Sequence, residues 1–232
     1  MARIAFFDVD KCILGVNTAT LWVKREYRAG NITRSQALRA SFWVGLYHLG
    51  YVRMEHVLED AVQNLKGLNE RDVIDRTLAF YREEVVQTVK PKALAAIAAH
   101  KARGDLIFLL TSSSNYLSAP LGDTLKIDGF LANRFEVEGG HFTGRAVLPF
   151  CYGPGKVAHA EVVAEKLRVP LKECVFYTDS YSDLPMLEAV GEPIAVDPDR
   201  RLRRHAMKRG WRIERWQEPT TPTTTKLLLL VF

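Results

Sequence analysis

The 232-residue chain is poor in the residues that mark several protein classes. It holds three cysteines, Cys12, Cys151 and Cys174, and six histidines. Three scattered cysteines cannot build a disulfide framework or a thiolate zinc site. The histidines are equally dispersed, with no HExxH or other paired-ligand spacing. Nor is there any run of the roughly 18 apolar residues that a membrane span needs. The first apolar stretch is broken at once by Asp8 and Asp10, which no secretory leader would tolerate. What is present is ordinary: 47% hydrophobic and 25% charged residues. That balance excludes a disordered chain, which lacks the apolar surface to offset its ordering entropy. One large α/β domain, or a domain carrying an insertion, suits this length, and a cytoplasmic enzyme is the expected class. The formal net charge of +5 calls for a separate account.

Arg3–Phe7 is a short continuous apolar run, the pattern of a strand buried on both faces of a parallel sheet. From about Thr18 to Val89 the chain changes character. Leu, Ala, Arg, Glu and aromatics recur at helical spacing, punctuated by turns at Asn31–Thr33 and Lys66–Asn69, so three or four helices are expected. Pro91 opens a helix that stops at Gly104. Asp105–Leu110 reads as a second buried strand ending in Thr111–Ser114, and Phe130–Val137 with His141–Val147 as a hairpin. Helices follow at Gly155–Leu167, Ser182–Val190 and Arg200–Arg209, with strands at Cys174–Tyr177 and Ile194–Val196. Alternating strands and helices imply a Rossmann-like, three-layer parallel sheet. Residues 1–14 and 90–232 are read as the catalytic core, and residues 15–89 as an inserted helical cap domain.

In open parallel sheets, sites form beyond the carboxyl ends of the strands. Three strand ends here carry polar chemistry: Asp8 and Asp10; Thr111 and Ser112; and Asp179 with Asp183. Carboxylates converging from neighbouring strands repel one another unless a cation lies between them. An oxygen-rich set of this kind suits Mg²⁺, which often also holds a phosphate. Lys156, in Gly153-Pro-Gly-Lys156, is placed to offset an anionic substrate. Any one of these aspartates, taken alone, reads equally as a helix N-cap or turn former; the combination does not.

The four segments, in this order, resemble the haloacid dehalogenase superfamily of phosphohydrolases. The helical insertion after the first motif resembles its C1-capped subfamily IB, the phosphoserine-phosphatase-like group. The resemblance implies a Mg²⁺-dependent phosphomonoester hydrolase acting on a small organic phosphate. In it Asp8 is the nucleophile that becomes an aspartyl-phosphate, and Asp10 is the acid that protonates the leaving alcohol and then activates water. It further implies Mg²⁺ held by the Asp8 carboxylate, the Asp10 main-chain carbonyl and Asp179. Asp183 either ligates through water or orients Lys156. Thr111, Ser112 and Lys156 hold the phosphate.

Two departures stand out. The family's DxDxT motif here reads Asp8-Val-Asp10-Lys11-Cys12, with the weaker donor Cys12 in the threonine position. Where phosphoserine phosphatases place a glutamate for the substrate's amino group, this chain has Asn17, a neutral amide that cannot give the same charge pairing. Phosphoserine is therefore not the expected substrate, and Asn17 is the cap's substrate-contact candidate. Ala40–Val52 carries no formal charge and four aromatics; it reads as an internal cap helix, or alternatively as a membrane-facing one in a lipid-phosphate phosphatase. A phosphotransferase of the same fold is a further alternative. Arg200–Arg215 holds eight Lys/Arg and one Glu, a stripe that reads as a solvated face, so no nucleic-acid partner is expected. The apolar Leu227–Phe232 end has no assigned role.

Overall fold

The computed structural model of the protein describes residues 3–34 and 54–217. The expected helix at Ala40–Val52 and the apolar end Leu227–Phe232 lie outside the described residues.

β1 (Ile4–Phe7) is buried at every position. It lies between two parallel neighbours, β2 (Leu106–Ser114) and β5 (Val175–Thr178), with Phe6 opposite both Phe108 and Phe176. Outward from β2 come β3 (Gly129–Glu138) and β4 (His141–Val147); outward from β5 come β6 (Glu192–Val196) and β7 (Arg212–Glu214). All pairings are parallel except the β3–β4 hairpin. Side chains alternate across a strand, so β1 feeds two cores. Ala5 and Phe7 pack with Ala93 and Ile97 of α4 (Pro91–Ala102) and with Leu117 and Leu121 of α5 (Asn115–Leu125). Ile4 and Phe6 pack with Ala160 of α6 (Pro154–Leu167), Met186 of α7 (Leu184–Ala189), and Leu202 and Ala206 of α8 (Arg200–Arg209). The result is a sheet between two helical layers.

The insertion between β1 and β2 contains α1 (Thr18–Arg28), α2 (Met54–Gln63) and α3 (Glu70–Phe80), followed by tight helical turns to Thr88. Its entry and exit run side by side. The Gly15 N–H donates to the Thr88 carbonyl at 2.8 Å and the Lys90 N–H to the Ile13 carbonyl at 2.9 Å. On its far side the insertion rests on the hairpin, with Gly67 N–H on the Phe142 carbonyl at 2.9 Å and Glu70 N–H on the Gly140 carbonyl at 2.9 Å. No described helix is long and apolar enough to cross a membrane.

Several elements differ from the sequence expectation. β2 does not stop at Leu110 but continues through Ser114, which pairs with Asn133 of β3 across an irregularity in register. α5 and β7 were not foreseen. The expected helix at Ser182–Val190 is a tight turn, Tyr181–Asp183, followed by the shorter α7, which has proline in its first turn.

Candidate active site

β1 ends in Asp8, whose N–H still bonds the Tyr177 carbonyl of β5 at 2.9 Å. The ladder therefore carries Asp8 one step beyond the strand and fixes it over the sheet's carboxyl edge. Lys156 meets it from α6. Its Nζ donates to Asp8 Oδ1 and to Asp183 Oδ2, both at 2.8 Å. All three side chains are buried, with Lys156 and Asp183 each 2% exposed. Thr178 Oγ1 donates to the same Asp183 oxygen at 2.6 Å. The start of α6 explains how a lysine reaches so far in. Pro154 suits the first helical position, and Gly155 lets the helix press against the chain before it. A Cβ on Gly155 would lie 1.9 Å from the Phe150 carbonyl oxygen.

After Asp8 the chain makes a wide turn, closed by the Leu14 N–H on the Val9 carbonyl at 2.9 Å, with Lys11 in the left-handed region at φ 56°. Lys90 holds this turn from behind, donating to the Lys11 carbonyl and pairing with Asp197 at 2.9 Å. Asp10 faces the start of α1. Its Oδ1 accepts the Thr18 N–H at 3.1 Å and its Oδ2 accepts Asn17 Nδ2 at 3.2 Å. The other end of the Asn17 amide caps the helix, accepting the Thr20 N–H at 2.9 Å. Asn17 is thus engaged at both ends.

Ser112 lines the cleft with Ser113 and Ser114. Its carbonyl accepts from Asn133 Nδ2 at 2.7 Å, while Asn133 Oδ1 accepts the Cys151 N–H at 2.7 Å. Thr111 is 1% exposed and lies behind this wall, its hydroxyl accepting the Ser113 N–H at 3.1 Å. Cys12 is fully buried, and burial followed by the charge of Asp8 pushes its thiol well above the usual range. Thr178, Asn133 and Lys90 escaped the sequence reading. The only available signal was that Thr178 closes a buried strand beside the acidic turn.

Burial pushes the Asp8 carboxyl up to about 7, against the downward pull of Lys156. Burial also raises Asp10, against the bonds from Thr18. Asp179 is raised well above the ordinary carboxylate range by burial and then by the charges of Asp8 and Asp183. No described group donates a hydrogen bond to the Asp179 carboxylate, while Lys156 is shared between the other two. One further cation would relieve this repulsion. No cluster of three or more His, Cys, Asp or Glu side chains in metal-holding arrangement occurs among the described residues. Asp8 and Asp179, which both line the cleft, are oxygen donors of the kind that a hard cation takes.

The family model of haloacid dehalogenase-like hydrolases matches residues 5–188. The chain belongs to that family. It is 32% identical to a protein of Mycobacterium tuberculosis (strain H37Rv) named as a probable phosphatase, over 94% of this chain and 76% of the relative. It is 31% identical to a phosphoserine phosphatase of the same strain, over 92% of this chain and 70% of the relative. A solved structure from Bordetella pertussis Tohama I, of a protein of unknown function, superposes with a TM-score of 0.83 at 26% identity, covering 92% of this chain and 99% of that one. Relatives at this identity are named as phosphatases, and this chain is a phosphatase enzyme.

In this hydrolase the four acidic residues line the floor of a cleft of about 460 Å³, with Lys11 and Lys156 beside them. The opposite wall comes largely from the insertion, α5 and the hairpin: Trp22, Leu65, Val73, Phe80, Leu117 and Phe135. Trp22 stands edge-on to Phe80 at 5.1 Å, with the Arg76 guanidinium 5.6 Å from its ring centre.

Proposed function

We propose that the protein is a Mg²⁺-dependent phosphomonoesterase of the cytoplasm that works through an aspartyl-phosphate on Asp8. The observation that carries this reading is the buried bridge of Lys156 between Asp8 and Asp183. It holds a carboxylate fixed at the strand end, next to a second carboxyl whose proton affinity is raised. Asp8 attacks phosphorus, forming the O–P bond as the bond to the leaving alcohol breaks, and Asp10 gives that alcohol its proton. Water then attacks the aspartyl-phosphate, Asp10 takes a proton from it, and phosphate leaves with Asp8 restored. The raised affinity of Asp10 suits a group that must be an acid first and a base second.

Asp8, the Asp10 carbonyl and Asp179 would hold Mg²⁺, which supplies charge neutralisation for the phosphate oxygens. Lys156 adds a fixed cation on the same side, and its own position is held by Asp183 and Thr178. Ser112 offers its main-chain N–H to a phosphate oxygen, with Thr111 supporting that segment from behind. We further assign residues 15–89 as the cap domain and residues 1–14 with 90–232 as the core. The antiparallel bridge between Leu14 and Val89, where the chain enters and leaves the insertion, supports that boundary.

Inorganic phosphate release from a panel of small phosphate esters tests the reading. Activity is expected with Mg²⁺, to vanish with EDTA, and to be absent from Asp8→Asn with its circular dichroism unchanged. Substantial turnover by Asp8→Asn would refute the assignment.

A further inference from the structure

We infer that the alcohol this phosphatase releases is largely apolar, so that the substrate is an alkyl or aryl phosphate monoester and not a charged amino-acid phosphate. The inference rests on the phosphomonoesterase reading above and adds the substrate class. The cleft has two chemically different ends. Every charged side chain among its described lining residues, Asp8, Asp10, Asp179, Asp183, Lys11 and Lys156, belongs to the floor where phosphorus reacts. Away from the floor the lining is mostly apolar, with Trp22, Leu65, Val73, Phe80, Leu117 and Phe135, and its polar members on the insertion and α5, Thr77 and Tyr116, carry no charge. The polar groups at the cap's edge are already engaged: Asn17 with Asp10 and Thr20, and the Thr18 N–H with Asp10.

The nearest acids of the insertion are also occupied, and neither lines the cleft. Glu26 is buried and accepts from Arg76 and from Asn31 at 3.2 Å. Glu70 accepts the Tyr116 hydroxyl at 2.8 Å. An ammonium or carboxylate carried by the leaving group would give up its water and meet no opposite charge among the described residues of this wall, a heavy penalty. A hydrocarbon chain would gain contact with each wall residue in turn.

The test uses the wild-type protein with Mg²⁺ and a series of ethyl, butyl and hexyl phosphates, whose leaving alcohols are similarly acidic. Phosphoserine and glycerol phosphate provide the polar comparison, and acetyl phosphate checks the underlying chemistry. Full burial of each added methylene corresponds to about a fourfold gain in kcat/KM, and at least a tenfold rise from ethyl to hexyl phosphate is expected. Phosphoserine should fall below ethyl phosphate. Trp22→Ala should cut the hexyl-to-ethyl ratio about fivefold or more. A flat alkyl series, or phosphoserine preferred over hexyl phosphate, would overturn the inference while acetyl phosphate hydrolysis leaves the phosphatase chemistry standing. Failure on every ester and on acetyl phosphate as well would overturn both.

Discussion

Replacing Lys156 by methionine isolates the electrostatics of the site from its chemistry. Methionine keeps an unbranched side chain of similar reach, so the packing of the lysine stem, whose Nζ lies 5.5 Å from the Phe176 ring centre, is largely retained. What disappears is the cation held at 2.8 Å from both Asp8 and Asp183. Removing one partner of a buried ion pair leaves an uncompensated charge and costs about 3–5 kcal/mol. For a protein whose whole stability is on the order of 5–15 kcal/mol, that is a large share. At about 2–4 °C per kcal/mol for a chain of this size, the thermal midpoint in EDTA should fall by about 6–20 °C. The double variant Asp8→Asn with Lys156→Met removes one of the stranded carboxylates and should regain part of that loss. Mg²⁺ should also raise the midpoint of Lys156→Met more than that of the wild type, since it would replace part of the missing charge. Differential scanning calorimetry in EDTA and in Mg²⁺ reads all three. A fall of less than about 3 °C for Lys156→Met in EDTA would show that the lysine is not the charge holding the floor together.

Three further outcomes follow from the same geometry. A carboxyl that binds its proton more tightly when folded adds stability at low pH and loses it as pH rises. Asp8, ordinarily near 4 but raised to about 7 by burial, should therefore make metal-free wild type less stable between about pH 4 and pH 7. The advantage of Asp8→Asn over wild type in EDTA should widen from pH 4.5 to 7.5, and a constant difference would contradict the buried placement. Asp10→Asn should lower kcat/KM, which reports the steps up to departure of the alcohol, by about 10²–10⁴ on alkyl phosphates and much less on p-nitrophenyl phosphate, whose leaving group needs no proton; equal losses in kcat/KM would remove Asp10 from the acid role. Gly155→Ala forces a Cβ to within 1.9 Å of the Phe150 oxygen, so helix α6 must shift. Destabilisation of about 1–3 kcal/mol in urea melts should accompany a lower kcat, because Lys156 moves with the helix.

The elements legible in the sequence were those whose signals are local. β1 is a run of buried apolar residues, and α8 occupies Arg200–Arg209 as expected, because Asp199 caps it with two 2.8 Å bonds and Gly210 stops it in the left-handed region. Thr111–Ser114 reads as a loop because it is polar, yet Asn133 on the neighbouring strand ties its backbone down and β2 continues through it. α5 went unseen because Pro120 and Gly122 interrupt its helical pattern, while the buried Leu117, Leu121 and Leu125 hold it by tertiary packing. β7 has only three residues and two are charged, so pairing with β6 defines it and composition does not.

The candidate site divides along the same line. Its floor is visible in sequence because each acidic residue follows a strand, and strand ends in a parallel sheet are brought together by topology alone. Its wall is not, because it takes residues from several separate segments, and each one looks like ordinary core. Trp22 and Phe80 lie 58 positions apart in the sequence yet meet edge to face at 5.1 Å, and neither carries a polar atom engaged in the chemistry. Asn17 shows the same difficulty from the other side. Its position marks it as a substrate-contact candidate and it lines the cleft, while three hydrogen bonds also give it a local task, capping α1 and holding Asp10. A neutral amide can do both at once, since it offers a donor and an acceptor, whereas a glutamate would bring a second negative charge to the Asp10 carboxyl. On the proposed substrate class, the neutral Asn17 and the mostly apolar wall are therefore two parts of one arrangement, in which the leaving group is selected by contact area and not by charge.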